Sequence, residues 1–158
     1  MSWVSGGEAR SFRELMGLRP NLAEDLLQFE SLLWQDPGVD PVTLELCRLR
    51  IAALHRAPSA LASRRPEARA AGLTEARIAR LAHYDSDPAF SARERACIAL
   101  AELFAMDPSA IDDASFVAVR EQLGEAGTVA LLEALAVFDG FARFQAVLGA
   151  APAPGEAA

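Results

Sequence analysis

The sequence predicts an all-α domain, and three observations carry that prediction. Capping signatures recur: Ser11 with Glu14, Asn21 with Glu24 and Ser91 with Glu94 each place a capping side chain three residues ahead of a glutamate. That pairing satisfies two orphan amides at a helix start. Apolar residues repeat at helical spacing, as in Leu22, Leu26, Phe29 and Leu33. Alternating runs of β-branched and aromatic residues, the mark of strands, are nearly absent. With 158 residues, 52% hydrophobic and 23% charged, the chain suits one globular domain with its own core.

The elements follow in order. Helices are expected over 11–18 and 21–34, followed by the connector "QDPGVDP". Asp40 then Pro41 start a helix to about residue 55, because Asp accepts from orphan amides and Pro suits the first helical position. Gly72 reads as a C-cap and Thr74 as the next N-cap, for "EARIARLAHY". Ser91 launches "ARERACIALAELFAM", closed by "DPS". "DDASFVAVREQLG" and "EAGTVALLEALAVFDGFARFQAVLG" make two more helices. The last is too apolar for a lone surface helix, so it is expected to pack between helices or against a second subunit. With Trp34, Phe29 and Phe104 it forms core or encloses a pocket. The total is about seven or eight helices. Residues 1–10 read as an N-terminal extension, 11–150 as the domain and 151–158 as a disordered tail.

Composition excludes several function classes. The 15 basic residues are all arginine, they are scattered, and they face 22 acidic ones. A phosphate backbone demands a concentrated basic face, so no nucleic-acid partner is expected. No apolar run approaches the ~20 residues that span a bilayer, so no membrane partner is expected. "MSWVSGGEAR" lacks the pattern of a secretory signal, and a cytoplasmic location is the expectation. Cys47 and Cys97 form neither a CxxC nor a metal spacing. They are expected to be buried, reduced thiols, with no metal and no cofactor.

The stretch "RLRIAALHRAPSALASRRPEARAAGL", residues 48–73, breaks the pattern. Pro66 would cost an interior helix about 3 kcal/mol and biases Arg65 away from helix. Residues 57–64 are therefore predicted to be a loop or separate turn, with Pro66 opening a shortened helix.

In order, several segments resemble the AhpD-like, or carboxymuconolactone decarboxylase, family. "FRELMGLRPNLAEDLLQFESLLW" is similar to its opening helix pair, and "DPVTLELCRLRIAAL" to the helix before its active site. "ARAAGLTEARIARLAHY" resembles the segment after the site, and "PAFSARERACIALAEL" the next long helix. "FDGFARFQAVLG" is similar to the closing segment, although Ala142 stands before Arg143 where the family commonly has Asn. The resemblance covers roughly residues 12–150 and implies an AhpD-like fold and a homo-oligomer. Its peroxidase branch carries a Glu, a CxxC and a His. One thiolate attacks the hydroperoxide, the other resolves it as a disulfide, and Glu and His relay protons. Anchored on "RLRIAAL" and "ARAAGL", that pattern falls on Glu45, Ala57, Ala60 and Arg64. Only the Glu is present. A dithiol cycle needs a thiolate and a partner sulfur, and alanine supplies neither.

Two of the remaining polar residues are candidates for acid–base catalysis. Glu45 would act as a buried base, unless it merely pairs with Arg48. His55 would act as an acid–base group, unless it simply ends its helix on a carbonyl. Arg56 and Arg64, with Arg65, are candidate anchors for a small-molecule carboxylate ligand. His83 reads as a helix-end residue, and Ser59 has no visible triad. The first expectation is a family member without the dithiol centre, serving as a binding protein or scaffold. A second is a cysteine-independent, decarboxylase-like enzyme acting on a small carboxylic acid. The last is a hydroperoxide reductase using Cys47 or Cys97.

Overall fold

The computed structural model describes residues 10–35 and 38–153. The expected extension, apart from Arg10, lies outside the described residues, as do Asp36 and Pro37 of the connector and the tail from residue 154. The described residues are helical apart from turns and a lone bridge between Ser11 and Ala151.

At the centre lies α3 (Pro41–Leu54), packed against α7 (Ala92–Met106) and α8 (Asp113–Leu148). Asp40 caps α3 as predicted, accepting from the Thr43 amide at 2.9 Å and its hydroxyl at 2.7 Å. Leu44, Leu46, Leu49 and Ile51 are all buried, and so are Thr43, Glu45 and Cys47 between them. A helix enclosed on nearly every side need not be amphipathic, and α3 is not. Ile98 and Leu100 of α7 and Leu131 and Leu135 of α8 complete the core. Each such side chain contributes about 1.5–3 kcal/mol by leaving water.

α1 (Phe12–Met16) carries the predicted Ser11–Glu14 capping box, and α7 the Ser91–Glu94 box. α2 (Pro20–Leu33) departs from expectation at both levels. Asn21 is not its N-cap: the helix starts at Pro20, with Arg19 before it and no side-chain cap. Proline's preset φ suits the first helical position, which moves the start ahead of Asn21. The Leu22–Leu26–Phe29 stripe also faces outward, exposed at 58%, 39% and 44%. The inward face carries Ala23, Glu30 and Leu33; Glu30 accepts a hydrogen bond from the buried Trp34 Nε1 at 2.8 Å and pairs with Arg65. Trp34 packs on Phe138, whereas Phe29 does not join it in the interior.

The stretch 48–73 folds as predicted, in separate pieces. α3 ends at Leu54 in a Schellman turn: Arg56 N–H donates to the Ala53 carbonyl and Ala57 N–H to that of Ala52. Arg56 occupies the left-handed position at φ 52°, where glycine is usual. α4 (Pro58–Ala62) is a single short turn, Ser63–Arg65 is extended, and Pro66 is the first residue of α5 (Pro66–Ala70). Gly72, at φ 95°, terminates α5, and Thr74 caps α6 (Glu75–Ile78). A 3₁₀ turn, Leu81–His83, follows.

α8 contains both expected closing helices. They meet at Gly124, whose φ of 70° and ψ of −179° break the helical path. The C-terminal arm receives α1: Phe12 stacks at 5.0 Å from Phe141 and 5.9 Å from Phe144. The Ala151 amide donates to the Arg10 carbonyl at 2.9 Å, tying the two ends of the described domain together.

Candidate functional site

The pieces between α3 and α5 form one wall of a cavity of about 630 Å³. α1, α2 and the C-terminal arm of α8 supply the others. Its apolar surface comes from Phe12, Ala52, Ala60, Phe138, Phe141 and Ala142, with Leu27 beside them. The α8 residues share one face of the helix, at the i, i+3, i+4, i+7 positions of 138, 141, 142 and 145. That spacing is the sequence signal for this wall, and it places Gln145 on it.

Behind the wall, Glu45 is fully buried. Arg48 Nε donates to its Oε2 at 2.6 Å and Nη2 to its Oε1 at 2.8 Å. The same guanidinium donates to the Ala60 carbonyl at 2.8 Å and the Ser63 carbonyl at 2.9 Å. The Arg65 amide completes the carboxylate's partners at 3.3 Å. A buried charge persists only when paired and hydrogen-bonded, and here both members are. The Glu45–Arg48 pair thus clamps α4 and the extended segment onto α3.

The other candidates are spread out. His55 Nε2 meets Asp139 Oδ1 of α8 at 2.5 Å, and Arg143 meets the same carboxylate at 2.8 Å. Glu45 and His55 stand ten residues apart on α3, about 15 Å of helical rise. Neither belongs to the cavity wall. Arg56 is exposed and also off the wall. Arg64 lines the cavity, but its guanidinium is committed: to Glu75 at 2.9 and 3.0 Å, to the Ser63 carbonyl at 2.8 Å and to the Leu61 carbonyl. Arg65 lies 4.8 Å over the Trp34 ring and pairs with Glu30. His83 is exposed at the end of its 3₁₀ turn.

Of the positions registered to the thiols, Ala57 is fully buried and Ala60 faces the cavity. Both real cysteines are buried in the α3–α7 layer, away from the cavity wall. Desolvation raises the Cys47 thiol well above its ordinary value and pushes Cys97 up to about 12. Among the described residues, no group of three or more His, Cys, Asp or Glu is placed to hold a metal ion.

A buried central helix, a segmented connection and a long closing helix around one cavity define an AhpD-like architecture. A crystal structure of a protein of unknown function from Agrobacterium tumefaciens, described as a candidate antioxidant defence protein AhpD, shares it. The TM-score is 0.77 over 89% of this chain and 96% of that one, at 17% identity, which establishes a common fold. The model of the carboxymuconolactone decarboxylase family matches residues 20–103, more than half the chain and the whole of the segmented wall. The chain therefore belongs to the carboxymuconolactone decarboxylase family. No curated protein matches it.

Proposed function

We propose that this chain is a non-peroxidatic member of its family, a cytoplasmic protein that binds a small molecule in the cavity beside α4. One observation carries the reading: the cavity wall contains no thiol, and alanines stand at the registered positions, 57 and 60. A protonated, enclosed thiol is a poor nucleophile, and burial keeps Cys47 and Cys97 protonated at neutral pH. No helix among the described residues is long and apolar enough to cross a membrane, in keeping with this reading. A decarboxylase-like reaction on a carboxylic acid would need a free acid–base group at the ligand. Glu45 and His55 lie off the wall, and the glutamates on it are engaged, Glu14 by Ser11 and Glu30 by Trp34 and Arg65.

The exposed stripe of α2 suggests that a second copy of the chain covers it, giving the homo-oligomer. The catalytic half of the reading is tested by hydroperoxide consumption. Wild type and a Cys47→Ser/Cys97→Ser double variant are expected to give the same background rate. A rate above background that disappears in the double variant would overturn it.

A further inference from the structure

We infer that the cavity takes an uncharged ligand, an amide group on a planar apolar body, and that Ser59 and Gln145 recognise the amide. The inference rests on the binding reading above. Ser59 is 5% exposed and Gln145 7%, and both line the cavity. Neither side chain has a hydrogen-bond partner among the described residues. Every fully sealed side-chain nitrogen or oxygen there does have one. The polar atoms of Ser59 and Gln145 therefore stay at the cavity surface. Held on the wall without a protein partner, they are free to exchange water for the matching groups of a ligand.

Charge selects against an anion. Three of the arginines on the wall are neutralised: Arg48 by Glu45 behind it, Arg64 by Glu75 and Arg65 by Glu30. The fourth, Arg13, is exposed at the rim beside Glu14. A carboxylate entering would gain only Arg13, which makes no ion pair among the described residues but is screened by solvent, so it would lose its water for little return. A neutral amide, by contrast, matches the glutamine amide as donor to acceptor and acceptor to donor, and the serine hydroxyl serves either way. Phe12, Phe138 and Phe141 give the flat apolar surface for the body. The volume falls within the ordinary range of small-molecule sites.

Three probes of one shape separate the possibilities: 2-naphthamide, 2-naphthoate and 2-methylnaphthalene, measured by equilibrium dialysis. The amide is expected to bind about tenfold tighter than either other probe. Gln145→Leu should reduce it to the hydrocarbon's affinity while leaving the hydrocarbon unchanged. Ser59→Ala should remove part of the preference, with both variants retaining wild-type circular dichroism. Naphthoate binding as tightly as the amide overturns the inference, as does amide binding indifferent to both substitutions. Equal binding of amide and hydrocarbon overturns the amide preference but leaves the binding reading standing. If none of the three binds, both fail.

Discussion

Glu45 sits where a proton relay is expected from the family pattern, yet its carboxylate is taken up by Arg48 and the Arg65 amide. Its role here is to hold the wall, through Arg48 and the carbonyls that Arg48 reaches. Because removing one partner leaves the other charge buried and unpaired, Glu45→Gln is expected to cost about 3 kcal/mol in urea unfolding. That is near the low end of the usual range, since Arg48 also touches the cavity. Loss below about 0.5 kcal/mol would contradict the clamp. Arg56 presents the opposite case. It holds a left-handed conformation with its side chain in solvent. Arg56→Gly should therefore stabilise the protein by about 0.5–1 kcal/mol, the relief of strain less glycine's added chain entropy. The same unfolding titration reads both.

At the scale of elements, the long closing helix depends on one residue. Gly124 has a φ and ψ that only glycine adopts without strain. A Cβ placed there would meet nothing within 4 Å, so any penalty on substitution is conformational rather than steric. Gly124→Ala is expected to lower stability by about 1–3 kcal/mol. Gly140→Ala, in the exposed helical part of the same element, should raise it by about 0.5–1 kcal/mol.

Helix and turn ends also set the acid limit. The Ser115 hydroxyl, then its amide, hold Asp112 below the usual carboxylate range at the start of α8. The Ala89 amide, then Arg80, do the same for Asp87, and Arg64 does so for Glu75. A carboxyl whose folded pKa lies below its unfolded value contributes stability above the unfolded pKa. That contribution is lost as pH falls through the folded one. The melting temperature should thus be flat from pH 7 to about 5 and fall below about pH 4. Asp112→Asn keeps a good cap, so it should leave the neutral value nearly unchanged and flatten the acid decline.

On the scale of the whole molecule, the unexplained surface is the outer face of α2. Leu22, Leu26, Phe29 and Leu32 are exposed along it, and Leu18 precedes them. An apolar stripe of this length is costly to leave in water. The protein is expected to sediment as a dimer or larger assembly. A Leu22→Asp/Leu26→Asp variant should sediment as a monomer with its helical signal intact. Wild type remaining monomeric at about 100 µM would remove the second copy from the account, since stable homodimers persist well below that concentration.

Local chemistry made much of this molecule legible before any packing was known. The caps at Ser11, Asp40, Thr74 and Ser91 act over three residues, and prolines constrain only themselves and the residue before. That is why the starts of α1, α3, α6 and α7, and the break before Pro66, could be read from the chain, whereas α6 ends at Ile78 and not at Tyr84 as expected. The register of Glu45 against Ala57, Ala60 and Arg64 is what the resemblance to the family implies. Tertiary structure decided the rest. Which face of α2 turns inward depends on distant segments: Glu30 pairs with Arg65 and Trp34 packs on Phe138. The separation of His55 from the cavity, the neutralisation of Arg64 by Glu75 and the open amide of Gln145 depend in the same way on where α8 and α6 lie. Periodicity shows that a face is apolar, but burial and charge balance are properties of what that face meets.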